Sequence, residues 1–359
     1  MLKIFVFSFV GAVIFTWLAI KTAKRWNIVD EPSERKIHVK PVPLLGGVAI
    51  YLAYISALLL NFQFSWKLKG VVLSATFVML ASLLDDVKKL SAGYRLVVQV
   101  LSTILLISFG VYINIIPDRF PFAFPLEALI TIVWIVGITN AVNIIDGVDG
   151  LASGIIAIIS GTFFVIALQT GQWYFAFLNV ALCGACLGFL IFNFNPAKIF
   201  LGDAGSSFLG YTIASLAVMG EWAQGRPIVA LSIPILLLAV PIFDMVYVTV
   251  SRFAKKKVRT FNEWLEYTGK DHLHHRLIRI GFSQKQTTLF IYMICVVFAL
   301  GVLVLKKATT FQAILLLLQS VFVLTIVTIL MVVGKKHLDK SRMYEDKLKE
   351  INEGRTSEK

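Results

Sequence analysis

Charge is what this sequence has least of. Of its 359 residues only 15% are Asp, Glu, Lys or Arg, where a soluble globular domain carries about a quarter. That shortage excludes an ordinary water-soluble enzyme. Cysteine is scarce too, with three in the chain, so no disulfide framework holds it. Cys183 and Cys186 fall on one face of an apolar helix with no second pair to complete a metal site. They read as small packing residues. Fixed-period repeats and low-complexity segments are absent, which leaves a single domain.

Long apolar runs take the place of charge. Hydrophobic residues make up 58% of the chain, and runs near the membrane-spanning length of about 17–25 residues recur from end to end. The expected fold is an all-α, polytopic transmembrane helix bundle. Eleven spans are expected, at about 4–20, 44–60, 70–84, 96–113, 126–141, 151–169, 173–192, 205–220, 227–250, 287–305 and 311–333. The formal net charge of +13 would suit nucleic-acid binding, but its placement argues otherwise. With these spans, 27 of the 34 Lys and Arg fall on one side. Short basic loops stay cytoplasmic, so the N-terminus is expected outside and the C-terminus inside. Lys21, Lys24 and Arg25 follow the first run, and no small-residue cleavage pattern does. A retained first span is therefore expected rather than a cleaved leader. Residues 1–334 read as the transmembrane domain and 335–359 as a cytoplasmic tail, either a solvated helix or a disordered end.

The stretch Asn140-Ala-Val-Asn143-Ile-Ile-Asp146-Gly147-Val-Asp149-Gly150 joins two apolar runs. A plain turn with caps needs fewer polar groups than this. Two carboxylates and two carboxamides at the mouth of two spans read as one wall of a site for a polar, phosphorylated ligand. Gly147 and Gly150 allow positive φ or close approach.

Other motifs fall on the same cytoplasmic side. The first loop ends Lys36-Ile-His38-Val-Lys40-Pro-Val-Pro-Leu-Leu-Gly46-Gly47, a basic topology anchor that can also clamp an anion, with two glycines permitting close helix packing. Asp85 and Asp86 close the third run beside Lys88 and Lys89. Adjacent carboxylates offer hard oxygen ligands suited to Mg²⁺. After the seventh run comes Asn193-Phe-Asn195-Pro-Ala-Lys198-Ile-Phe200-Leu-Gly202-Asp203-Ala-Gly205-Ser-Ser207. Amides at such a helix start attract phosphate, and Asp203 can hold a cation beside it. Phe200 could stack on a base or anchor the interface.

Asp244 lies inside the ninth run, where an ionisable residue is functional by default. It could touch substrate or pair with a basic group. Three of the five histidines crowd into Asp271-His272-Leu273-His274-His275-Arg276. Zinc lacks a matching Cys/His partner elsewhere, so phosphate contact by the imidazoles and Arg276 is the better reading.

Five motifs in order, all on one membrane face, resemble the polyprenyl-phosphate N-acetylhexosamine-1-phosphate transferase family, and the resemblance covers nearly the whole chain. The interrupted His272-Leu-His274-His275 is similar to its WecA/TagO-like branch. The sister MraY branch, which uses UDP-MurNAc-pentapeptide, has contiguous histidines. The resemblance implies transfer of a sugar-1-phosphate, foremost GlcNAc-1-phosphate, from a UDP-sugar to undecaprenyl phosphate, with UMP leaving and Mg²⁺ or Mn²⁺ required. It implies a bacterial plasma-membrane enzyme whose site faces the cytoplasm and which starts a lipid-linked envelope polysaccharide.

It also implies roles. Asp85 and Asp86 would bind metal or take the lipid phosphate proton, and Asp203 would bind metal. Asn140, Asn143, Asp146 and Asp149 would hold nucleotide and metal. Asn193 and Phe200 would line the nucleotide pocket, and Lys40 and Lys89 would neutralise phosphate. His272, His274 and His275, with Arg276, would meet the sugar or pyrophosphate. Direct attack by the lipid phosphate is favoured over a covalent aspartyl intermediate, since that oxygen is already ionised near neutrality. The partners are the UDP-sugar, undecaprenyl phosphate and the bilayer, without nucleic acid and with a homodimer left open. The rival class is a proton-coupled transporter, in which Asp244 and the histidines form a relay. Transporters place their groups near the midplane of inverted repeats. Here the polar groups sit at helix ends and no repeat is visible. A structural scaffold would leave the carboxylates unexplained.

Overall fold

The apolar runs become helical, because within a bilayer only helices and closed barrels satisfy every backbone group. The computed structural model describes residues 1–32, 40–60, 65–117, 119–223, 226–267, 269–305 and 308–357. Arg35, Lys36 and His38 of the first loop lie outside these residues. The helices are α1 (Leu2–Arg25), α2 (Gly46–Leu59), α3 (Trp66–Lys88), α4 (Ala92–Ser108), α5 (Ala123–Ile145), α6 (Leu151–Thr170) and α7 (Trp173–Asn193). They continue with α8 (Gly202–Met219), α9 (Pro227–Leu237), α10 (Ala239–Ala254), α11 (Phe261–Glu266), α12 (Leu273–Arg279), α13 (Gln284–Leu303) and α14 (Thr310–Ser357).

Among the described residues seven helices are long and apolar enough to cross a membrane, and the α9–α10 pair makes an eighth if taken as one span. The chain is thus an all-α, multi-pass membrane protein. The α2 and α4 helices are apolar but shorter, at 14 and 17 residues. The ninth run is not one continuous helix, as the sequence suggested. It breaks at Leu238 into α9 and α10, bent by 77°. Pro234 lies inside α9, and Pro241 has no N–H to continue the ladder across the break, the usual cause of a sharp kink. The tail resolves toward the helical alternative, since α14 runs unbroken to Ser357.

The α8 helix is the axis of the bundle. Fourteen consecutive residues, from Ala204 to Ala217, are buried, as expected of a helix enclosed on every side. It packs against α2, α3, α5 and α6. Small residues let the backbones close in. A Cβ on Gly47 of α2 would lie 2.3 Å from the Cα of Gly205, and one on Gly210 would lie 2.9 Å from the Cα of Thr139. The close packing expected of the Gly46-Gly47 pair is present. What sits at the start of α8 is therefore held at the centre of one end of the bundle.

That end also carries the one strand pairing among the described residues. Strands β1 (Val29–Asp30) and β2 (Val42–Pro43) pair antiparallel, Val29 opposite Pro43 and Asp30 opposite Val42. Pro43 O accepts from Phe200 N at 2.8 Å, and Phe200 O from Gly46 N at 3.1 Å. The loop before α8 is thereby stitched to the entry of α2.

Candidate active site

A cavity of about 920 Å³ opens at this end, at the upper range for small-molecule sites. Its walls come from the ends of α3, α5 and α7, the starts of α4, α8 and α13, the β1–β2 ribbon and α12. Among the described residues seven carboxylates line it (Asp30, Glu31, Asp85, Asp86, Asp146, Asp149 and Asp203) against three cations, Lys40, Lys89 and Arg95. Asn143, Asn193, Phe200 and His275 complete the expected set in the lining. Asn140, His272, His274 and Arg276 are not in it.

The carboxylates are not equivalent. Asp86 sits across the first turn of α8, accepting from Asp203 N at 2.8 Å and Ala204 N at 3.0 Å. The helix-start amides expected to meet phosphate are thus occupied by a side chain. Asp85 is 4% exposed. It accepts from Leu90 N and faces Arg95 Nε at 3.5 Å. Lys89, between them, takes a left-handed backbone at φ 51°, a conformation costing a non-glycine residue about 1–2 kcal/mol. Asp149 accepts from Asn195 Nδ2 and Ala197 N, each at 2.9 Å. Asp203 is shared between Arg95 Nη1 at 3.2 Å and Asn143 Nδ2 at 3.3 Å.

Asp146, the residue that ends α5, accepts no side-chain hydrogen bond among the described residues. Burial, then the charges of Asp203, Asp86 and Asp149, push its carboxyl well above the usual range. Like charges and burial disfavour its ionised form, and a cation placed beside it would offset both. Among the described residues no three His, Cys, Asp or Glu groups already form a ligand cluster. The donor set is nonetheless all oxygen, which suits Mg²⁺ completed by waters and substrate phosphates.

The turn 146–150 is braced from three sides. Gly150 has φ 74°, the left-handed region glycine enters without cost. Its N–H donates to Asn193 Oδ1 at 3.1 Å, and Asn193 Nδ2 reaches Ile199 O at 2.9 Å. From α13, the Tyr292 hydroxyl donates to Gly150 O and Thr288 Oγ1 to Asp149 O. Asn193 therefore lines the cavity with its polar atoms spent on holding the two motifs together. Asn140 acts one turn deeper, donating to Gln99 Oε1 at 2.8 Å and joining α5 to α4.

The histidines divide. His275 faces the cavity. Burial, followed by His272 and Lys270, lowers its pKa to about 4, so near neutrality it is an uncharged hydrogen-bonding ring. His274 is fully buried. Burial, then His275 and His272, hold it well below the usual imidazole value, and both its ring nitrogens lack partners among the described residues. His272 and Asp244 meet each other, Nδ1 to Oδ2 at 3.0 Å. Asp244 is thus paired with a basic group within the chain, the second of the two roles its sequence position offered. Arg276 packs on Tyr247, donating to its hydroxyl at 3.0 Å.

Sequence reasoning missed Arg95, Asp30, Glu31 and Gln284 in the lining. Arg95 had a signal. It and Gln99 are polar residues four apart on an otherwise apolar helix, hence on one face.

Comparison with known proteins follows the same outline. Residues 68–221 match the family model described as Glycosyl transferase family 4. The "Probable undecaprenyl-phosphate N-acetylglucosaminyl 1-phosphate transferase" of Bacillus subtilis (strain 168) is 34% identical over 332 residues, 90% of both chains. A decaprenyl-phosphate N-acetylglucosaminephosphotransferase of Mycolicibacterium smegmatis is 33% identical over 323 residues, 79% of this chain and 77% of the relative. An undecaprenyl-phosphate alpha-N-acetylglucosaminyl 1-phosphate transferase of Escherichia coli (strain K12) is 27% identical over 322 residues, 84% and 82% of the two chains. By its cavity, its helices and these relatives, the chain belongs to the polyprenyl-phosphate N-acetylglucosamine-1-phosphate transferases of glycosyl transferase family 4.

Proposed function

We infer that this protein transfers GlcNAc-1-phosphate from UDP-GlcNAc to undecaprenyl phosphate at the cavity beside α8, releasing UMP. The observation that carries the reading is the cavity's excess of carboxylates over cations among the described residues, in a chain of this family. An acidic pocket that must admit two phosphorylated substrates needs a divalent cation to bring the anions together. The names of the relatives, all built on N-acetylglucosamine, favour this donor over the MurNAc-pentapeptide alternative.

Asp146 and Asp203 are the groups we assign to Mg²⁺ or Mn²⁺, because Asp86, Asp149 and Asp85 already spend oxygens on backbone amides. Such a cation supplies charge neutralisation on the transferring phosphoryl group. The chain's own residues do the rest. Asp86 holds the start of α8, and Asp203 with it, against the end of α3. Arg95 and Lys89 offer positive charge to phosphate oxygens. Phe200 offers a flat face to the uracil. His275 offers a neutral ring N–H to the sugar or pyrophosphate. An oxygen of the lipid phosphate attacks the sugar-side phosphorus. One P–O bond forms and the bond to the bridging oxygen breaks, and UMP leaves with that oxygen.

The cavity-lining residues come alternately from C-terminal and N-terminal helix ends along the chain. That alternation supports eleven membrane passes, with α9–α10 as a broken one, and favours a C-terminus on the cavity side. The excess of Lys and Arg on that side supports a cytoplasmic face at the bacterial plasma membrane. The test is UMP release by the purified protein with undecaprenyl phosphate, Mg²⁺ and a panel of UDP-sugars. UDP-GlcNAc should be the preferred donor, and preference for UDP-MurNAc-pentapeptide would overturn the reading.

A further inference from the structure

The segment 272–275 carries three imidazoles, yet only one lines the cavity. Of the other two, His272 is held by Asp244 and Arg252, groups that take no part in the site described so far.

Asp244 is 1% exposed, on α10 just past the bend. Its Oδ2 meets His272 Nδ1 at 3.0 Å, and its Oδ1 accepts from Leu273 N at 2.7 Å. One carboxylate thus fixes both the ring that precedes α12 and the first amide of that helix. The far side of the His272 ring is fixed as well, with Nε2 3.1 Å from Arg252 Nη2. Arg252 is 5% exposed and grips Asp271 through Nη2 at 2.7 Å and Nε at 3.1 Å. A proton on Nδ1 and a lone pair on Nε2 satisfy both neighbours, so the ring's tautomer and orientation are set.

The same clamp seats His274. A Cβ on Gly147 would lie 2.3 Å from His274 Nε2, so the ring fills the space that a side chain at 147 would take. Gly147 belongs to the turn that presents Asp146 and Asp149. The His275 ring packs on His274, centroids 4.3 Å apart, and projects into the cavity. Buried charge of this kind contributes little net stability and is kept in known cases for the geometry it enforces.

We propose that Asp244, with Arg252 behind it, is a positioning residue for the transfer reaction: it holds 272–275 so that His274 is seated against Gly147 and His275 alone meets the substrate. This rests on the proposed function, because His275 has work to do only if the cavity is where transfer occurs. His272 and His274 then set the distance between the acidic turn and His275 without touching substrate.

A double-mutant cycle separates positioning from general support of the fold. UMP release is measured in nanodiscs, with UDP-GlcNAc and undecaprenyl phosphate, for the wild type, Asp244→Ala, His275→Ala and the two combined. Each single change should lower kcat by about 10-fold or more, and the double variant should be no slower than His275→Ala alone within about twofold. Losses that multiply overturn the proposal. If Asp244→Ala does not fold, Asp244→Asn enters the cycle in its place. It keeps an acceptor for Leu273 N but changes what faces His272, and the same non-additivity is required of it. A second cycle uses Gly147→Ala and His274→Ala, where the double variant should again be no worse than His274→Ala. Wild-type protein without UMP release would overturn the proposed function itself. An active wild type with multiplying losses removes only the positioning role.

Discussion

Asp86 and Asp203, 117 positions apart, are joined by a hydrogen bond in which the Asp203 amide donates to the Asp86 carboxylate at 2.8 Å. The carboxylate occupies the positive end of the central helix, so the two acidic motifs form one rigid unit. The pairing gives them different jobs, and each job has its own mutational signature.

Asp203→Asn should leave the fold intact, because an amide replaces a carboxylate of the same shape and Asn143, which also donates to Ser207, remains beside it. Turnover should fall by at least about 10²-fold, comparable to losing one electrostatic stabiliser. Asp86→Ala should lose activity and stability together, since it strands two amides at a cost of roughly 1–3 kcal/mol. Thermal melts and UMP release on both variants check this, and equal melting behaviour would contradict it.

Arg95 competes with any cation for Asp203, to which it is bound at 3.2 Å. Arg95→Ala should move the Mg²⁺ concentration for half-maximal activity downward while lowering kcat, because it frees the carboxylate and removes a phosphate partner. A Mg²⁺ titration of the two proteins measures both numbers. An unchanged midpoint would show that Asp203 is not where the metal binds.

His275 has a folded-state pKa of about 4 against about 6.5 in an unfolded chain, and that of His274 is lowered as well. Between those values the unfolded state binds more protons, so stability rises with pH across the window and is lost as pH falls from about 6.5 toward 4. The raised carboxyls of Asp146 and Asp86 act in the opposite sense over this range, so the test compares two proteins. On acidification the melting temperature of the wild type should fall relative to that of His275→Gln, which has no imidazole to protonate.

Single cysteines placed at Lys88, Lys198 and Lys257 should react with a membrane-impermeant reagent only from the cytoplasmic face, and at Lys67 or Arg119 only from the other. Labelling of positions 198 and 67 from one face would break the eleven-pass arrangement and the shared site.

The carboxylates were legible in the sequence for a physical reason. Asp85, Asp86, Asp146, Asp149 and Asp203 interrupt or end apolar runs, and a bilayer makes such groups conspicuous. The all-α fold was legible on the same ground. What each oxygen touches was not, since that depends on packing. Asp86 takes the α8 amides, Asp149 holds 195–197, and only Asp146 is left without a donor among the described residues. The kink at Leu238 was not read from Pro234 and Pro241, although both prolines were visible. The three histidines looked equivalent because spacing does not reveal that His274 fits a missing side chain at Gly147 while His275 faces the cavity.

The central claim is phosphoglycosyl transfer assisted by a metal at Asp146 and Asp203. The most direct measurement supplies UDP-GlcNAc labelled in the sugar-side phosphate to purified protein with undecaprenyl phosphate and Mg²⁺, and follows both products. The account predicts that the label enters the lipid, that UMP appears in equal amount, and that EDTA or Asp203→Asn stops both. Release of UDP with unlabelled lipid, or full transfer in EDTA, would contradict it.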